Sequence, residues 1–154
     1  MKNTLFSLVA LIAFFFNPSA QAASIPALDG GPCKTLQAGT LVVLETTEKI
    51  SSDAVTVGKI LVFRVRTNVV VDGETVIATG AIAIGRVKAI NPATYNLPEE
   101  ITVEVTYAQA VDGQQVALNG AEQTYKGRFP RESVAVEPGQ MITGMAMNNT
   151  NIKI

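Results

Sequence analysis

Leu61-Val62-Phe63-Arg64-Val65-Arg66-Thr67-Asn68-Val69-Val70-Val71, followed by Asp72-Gly73, is the stretch that decides the fold. Its odd positions carry Leu61, Phe63, Val65, Val69 and Val71, while Arg64, Arg66 and Asn68 fall on even ones. Alternation with period two predicts one long, half-buried strand over residues 61–71. Asp72-Gly73 then reads as a hairpin turn, because glycine takes positive φ without steric cost.

The same pattern extends in both directions. Ile101, Val103, Val105, Tyr107, Gln109 and Val111 alternate with Thr102, Glu104, Thr106, Ala108 and Ala110, predicting a second long strand closed by the turn pair Asp112-Gly113. Residues 41–48 start apolar and end polar. Residues 76–90 are β-rich but interrupted by Gly80 and Gly85, which suggest a turn or a bulge. Shorter strands are expected at 116–118, 133–136 and 141–147. No long helical stripe competes, so the expectation is an all-β fold: a single small antiparallel β-barrel or β-sandwich of about seven to nine strands. Leu61, Phe63, Val65, Ile101, Val103 and Val105 are its predicted core.

The two turns belong to a longer echo. Val71-Asp72-Gly73-Glu74-Thr75-Val76-Ile77-Ala78-Thr79-Gly80-Ala81 returns 40 residues later as Val111-Asp112-Gly113-Gln114-Gln115-Val116-Ala117-Leu118-Asn119-Gly120-Ala121, with six of eleven positions identical and no gap. Such a repeat reads either as a duplicated strand-hairpin-strand unit packed about a pseudo-twofold axis, since one unit cannot cover its own apolar face, or as Val-Asp-Gly turns followed by a short strand and a Gly that recur by turn chemistry alone.

The N-terminus carries a different message. Lys2 precedes an apolar run over residues 5–16, and Ala20-Gln21-Ala22 is a small-x-small cleavage site, so residues 1–22 read as a signal peptide cut after Ala22. The run falls short of the roughly 20 apolar residues a spanning helix needs, so no stable membrane span is expected after cleavage. Residues 23–37, with Pro26, Gly30, Gly31 and Pro32, form an expected extended leader, and residues 38–154 a single β domain. The protein is thus expected to be exported, either periplasmic or associated with the outer envelope, or secreted.

Composition removes most familiar chemistry. The chain has no His and one Cys, which excludes His-based triads, His-ligated metal and an internal disulfide. Twelve basic against 13 acidic residues give a formal charge of −1, too little positive charge for strong nucleic-acid binding. No catalytic residue, cofactor or metal ligand is assigned. Asp72 and Asp112 already serve turns, and Glu99-Glu100 reads as a solvated loop end. Ser51-Ser52-Asp53 leaves open a Ser-Lys nucleophile, the basis of an alternative reading as a secreted hydrolase that uses carboxylates or such a pair. Lone Cys33 has no internal partner. Lys126, Arg128 and Arg131 around Phe129-Pro130 form the expected partner surface. Met141, Met145 and Met147 suit either an adaptable partner surface or, as part of a late strand, the filling of core gaps.

The stretches Ala38-Gly39-Thr40-Leu41 with Ile50-Ser51-Ser52, Val76-Ile77-Ala78-Thr79-Gly80 leading to Ile84-Gly85-Arg86-Val87, and Val111-Asp112-Gly113 with residues 116–120 resemble the C-terminal β-barrel of VirB10/TrbI-type components of bacterial type IV secretion and conjugation systems. The resemblance implies a stand-alone barrel module of the cell envelope acting as a binding or scaffold component with a protein partner. Family members are larger, with a membrane-spanning N-terminal part and a helical barrel insertion lining a pore. This chain offers neither, so no pore-forming role is carried over. The other alternative weighed is a small outer-membrane barrel, against which stand the missing aromatic girdles and the charges Arg64, Arg66 and Glu104.

Overall fold

A computed structural model describes residues 31–154. The expected signal peptide, its cleavage residues Ala20 and Ala22, and the leader up to residue 30 lie outside the described residues. The remainder holds strands and connecting loops and no helix.

The strands are β1 (Cys33–Leu36), β2 (Leu41–Thr46), β3 (Ile50–Ser51), β4 (Ile60–Val65), β5 (Val69–Val71), β6 (Glu74–Ile77), β7 (Ile82–Asn91), β8 (Glu100–Gln109), β9 (Gln115–Asn119), β10 (Glu122–Lys126), β11 (Ala135–Val136), β12 (Met141–Ala146) and β13 (Thr150–Lys153). Six of them close an antiparallel barrel in the order β8-β7-β4-β2-β12-β9, with β9 returning to β8 and β10 attached to the other half of β8. The all-β barrel is therefore the fold, and closure removes most of the edges that an open sheet would expose.

Alternation makes the barrel solid. Val42 and Leu44 from β2, Leu61, Phe63 and Val65 from β4, Ala83 and Val87 from β7, and Ile101, Val103 and Val105 from β8 are buried in one continuous core. All six predicted core residues are among them. Both ends are closed. Over one end pack the ribbon β1–β13 and the hairpin β5–β6, contributing Leu36, Ile152, Val69, Val76 and Ile77. Over the other lies the two-stranded β3–β11, with Ile50, Val55, Val134 and Val136.

Several expectations are corrected. The last part of the leader, Cys33–Leu36, is strand β1, because Leu36 is fully buried and β13 supplies a partner for its backbone. The strand expected over 61–71 breaks after Val65: Arg66 donates its N–H to Val43 O, and Asn68 Oδ1 accepts the N–H of Thr79 at 2.6 Å, so β5–β6 folds off as a separate hairpin. The alternation expected over 101–111 holds only to Val105. Between Ile84 and Gly85 the β7–β8 register slips by one residue, which turns Tyr107 and Gln109 outward and buries Ala108 and Ala110. Gly85 makes this possible. A Cβ there would collide with Glu104 O and come within 2.9 Å of the Phe63 ring, so only glycine lets bulge and ring coexist. The Gly80 interruption is a turn, with φ +82, between β6 and β7.

The internal echo is a structural repeat. In β4–β7 the partners are Ile60↔Arg86, Leu61↔Gly85, Val62↔Ile84, Phe63↔Ala83 and Arg64↔Ile82. In β8–β10 they are Glu100↔Lys126, Ile101↔Tyr125, Thr102↔Thr124, Val103↔Gln123 and Glu104↔Glu122, every one displaced by 40 residues. The flanking bonds repeat too: Val65 N–H donates to Ala81 O at 2.9 Å and Val105 N–H to Ala121 O at 2.8 Å. In place of a pseudo-twofold, however, the units follow one another around the barrel. β4 and β8 run in the same direction, separated by β7.

Candidate functional site

At the β3–β11 end two loops stand side by side, residues 92–99 before β8 and residues 127–134 after β10. Pro92 and Pro98 keep the first out of regular pairing, and it closes on itself through Thr94 N–H to Leu97 O at 2.9 Å. The second is held from within by Glu132, whose carboxylate accepts the N–H groups of Arg128 at 2.8 Å and Phe129 at 3.0 Å. Gly127 is needed there, since a Cβ would come within 2.9 Å of Glu132 O.

A polar clamp joins the loop bases. Ser52 Oγ, nearly buried, donates to Glu99 Oε2 at 2.6 Å and accepts the N–H of Val134 at 3.0 Å. Glu99 O accepts Gly127 N–H at 2.9 Å. Three chain segments thus meet at one carboxylate and one hydroxyl. Glu99 is consequently no solvated loop end, and Ser52 spends its hydroxyl on structure. Ser51 sits in β3 opposite Ala135. Neighbouring Glu100 lies on the outer face, where the Lys126 ammonium at 2.7 Å, and secondarily Asn91, hold its carboxyl below the ordinary carboxylate range.

What the loops present is aromatic and apolar with cations at its margin. Phe129 at the tip is 68% exposed, Tyr95 is 77% exposed, and Leu97 is also exposed. Arg131, at φ +67, places its guanidinium 5.0 Å from the Tyr95 ring centroid, a cation–π contact joining the loops. Exposed Tyr, Phe and Arg on a rigid base are the side chains that dominate protein interfaces, since they bring large contact area at low entropic cost. Beside them a hollow of about 160 Å³ is lined by Lys126, Gly127, Arg128 and residues 132–135.

The expected basic surface is accordingly redrawn. Arg128, Phe129 and Arg131 stay together on the loop, but Lys126 points from β10 to Glu100 on the outer wall. Tyr95 and Leu97 join from 31 or more residues away in sequence. Their only signal in the chain is the pair Tyr95 and Leu97, with one residue between them in a loop bounded by two prolines.

The structural turns fall at the opposite end and differ from each other. Asp72 and Gly73 take φ +48 and +83 in a two-residue turn between Val71 and Glu74, and Lys34 Nζ lies 3.4 Å from Asp72. Asp112 and Gly113 sit in a wider loop. Burial would raise the Asp112 carboxyl, but N–H bonds from Lys153 at 2.9 Å and Gln114 at 3.0 Å, together with the Gln114 amide, hold it below its ordinary value. Asp112 therefore ties the hairpin to the last strand. A second groove, about 240 Å³, runs along Ile82, Ile84, Tyr107, Gln109, Gly113 and Gln115. Cys33 is exposed at the start of β1. Among the described residues no helix is long and apolar enough to cross a membrane.

Comparison of the chain with models of known protein families and with curated proteins returned no match.

Proposed function

We propose that this protein is an exported, non-catalytic β-barrel module of the bacterial cell envelope, a binding or scaffold component related to type IV secretion or conjugation systems. One observation carries the binding role: a solid barrel, filled and closed at both ends, presents Tyr95, Leu97, Phe129 and Arg131 together on two loops clamped through Ser52 and Glu99. Preorganised loops lose little entropy on docking, so a modest aromatic surface supplies useful affinity. The resemblance of the strand and turn stretches to VirB10/TrbI-type barrels supports the envelope setting. The apolar run and Ala20-Gln21-Ala22 support export.

The alternatives fit less well. A Ser-Lys hydrolase needs a free hydroxyl beside a lysine, whereas the Ser52 hydroxyl is engaged by Glu99 and Val134. An outer-membrane barrel needs strands of about 9–11 residues with an apolar exterior, whereas β2, β4 and β12 have six residues each. Arg66–Glu45 and Arg86–Glu104 pair on the outer wall.

Cross-linking in intact cells, followed by capture of the tagged chain, tests the proposal. The expected result is a reproducible envelope protein, lost about tenfold in a Tyr95→Ser/Phe129→Ser variant that folds normally, with the recovered chain beginning at Ala23. Capture of the chain alone, or of a partner indifferent to both substitutions, overturns it.

A further inference from the structure

Strand β10 has one edge on β8, and among the described residues nothing pairs with the other. Which backbone groups face that open edge follows from the register. Val105 N–H donates to Ala121 O and Gly127 N–H to Glu99 O, so the odd residues 121, 123, 125 and 127 turn their amides toward β8. Glu122, Thr124 and Lys126 turn theirs outward. The neighbouring strand β12 approaches β10 at its start, where Gly144 packs against Ala121, close enough that a Cβ on Gly144 would lie 2.6 Å from that of Ala121. Beyond that contact the two strands share no ladder.

The repeat indicates what such an edge accommodates. β7, the counterpart of β10 one unit earlier, carries β4 on one edge and the antiparallel strand β8 on the other. The β10 sequence itself specifies the occupant. In Glu122-Gln123-Thr124-Tyr125-Lys126 the charges at the two ends are opposite and equidistant from Thr124. Two copies laid antiparallel about Thr124 bring Glu122 opposite the partner's Lys126 and Lys126 opposite the partner's Glu122, with Thr124 facing its own equivalent. The residues thereby paired are the same three whose N–H and C=O groups point outward, so hydrogen bonding and charge select one register.

The outer face continues the match. Lys88 bonds Glu122, Glu100 bonds Lys126, and the Thr102 and Thr124 hydroxyls lie 2.9 Å apart. Across the junction the row reads Arg86, Glu104, Glu122, then the partner's Lys126 and the partner's Glu100. The partner's Lys126 thus adds an opposite charge beside two carboxylates that Arg86 and Lys88 already neutralise in part, and the central row holds four threonines.

We propose that the open edge of β10 is a self-association site, at which a second copy of this chain adds antiparallel about Thr124 to make one sheet run through two barrels. The contact is isologous and closes as a dimer, because each copy's β10 edge is taken up by the other's. It lies on the barrel wall and does not rest on the partner proposed for the Tyr95–Phe129 loops.

The test is sedimentation equilibrium of the purified chain across micromolar concentrations, with three variants. Native chain is expected to show a concentration-dependent monomer–dimer equilibrium. Thr124→Pro removes an outward amide but no bond to β8, and Lys126→Glu sets like charges opposite each other. Each is expected to weaken the dimer about tenfold or more. The double reversal Glu122→Lys/Lys126→Glu is expected to restore it, although the Lys88 and Glu100 pairs within the chain stay broken. That rescue separates self-pairing from a loss of intrachain support. Native chain that is monomeric throughout, a dimer indifferent to Thr124→Pro, or a double reversal no better than Lys126→Glu overturns the proposal. So does cross-linking, in a Cys33→Ser/Thr124→Cys chain, to a different protein only.

Discussion

The two copies of the repeated unit share a register and differ in what surrounds them. β4–β7 lies inside the barrel wall, flanked by β2 and β8. β8–β10 repeats the five pairs with the same offset, yet β10 ends the sheet. Equivalent positions have diverged accordingly. Where the first unit holds Gly85, the second holds Tyr125, and where the first holds Phe63, the second holds Val103. The Phe63 ring occupies space that the missing side chain of Gly85 vacates. In the second unit the bulk moves to the outer strand, with Tyr125 half-buried against the core and its buried hydroxyl without a hydrogen-bond partner. Burial raises the Tyr125 pKa above its ordinary value. Local pairing is thus transmitted by sequence, while packing is renegotiated by each neighbourhood.

The sharpest way to break the comparison is to truncate its two central residues. Phe63→Ala is expected to cost about 3–5 kcal/mol, because the ring is fully buried and its truncation leaves a cavity in the core. Val103→Ala, the equivalent change, removes two methyl groups and is expected to cost about 2 kcal/mol. Equilibrium urea unfolding measures both, and equal losses would show that the copies are packed alike. Gly85→Ala is expected to cost about 3 kcal/mol, between those two, because the new methyl meets the Glu104 carbonyl and the Phe63 ring, neither of which can move freely. Unfolding of Gly85→Ala in a Phe63→Leu background should cost less than in the native one, since part of the clash is removed.

The smallest effects separate the two turns. Asp112→Asn weakens the bonds to Lys153 and Gln114 and is expected to cost about 1 kcal/mol near neutral pH, while Asp72→Asn, which tolerates positive φ, is expected to stay within about 0.5 kcal/mol. The pH dependence gives the sign. The Asp112 carboxyl is depressed in the folded state, so between its folded value and the ordinary 3.8 the unfolded chain binds more protons. Its contribution is fully present above about 3.8 and disappears as pH falls through the folded value. Urea titrations across that window should therefore show a steeper acid loss in native chain than in Asp112→Asn.

Legibility followed the range of the interactions involved. Leu61, Phe63 and Val65 declared themselves by alternation, and the Asp-Gly turns by backbone chemistry, both of which act within a few residues. The inversion at Tyr107 could not be read there, because it depends on Gly85 receiving a bulge of a strand some 20 residues away. Likewise Glu99 looks like a loop charge until Ser52 and Val134, 47 and 35 residues distant, are folded onto it. The loop surface was half visible: Phe129 and Arg131 could be named, while Tyr95 became part of it only through its contact with Arg131.

By itself the sequence determined strand periodicity, turn chemistry, the 40-residue repeat and the core of β4 and the first half of β8, since each rests on steric and solvation preferences of adjacent residues. Tertiary structure alone decided that six strands close into a filled barrel, that Cys33–Leu36 becomes a strand by meeting β13, and that β10 keeps an open edge. Those outcomes depend on which distant backbones and side chains compete for the same space, and no local pattern encodes that competition.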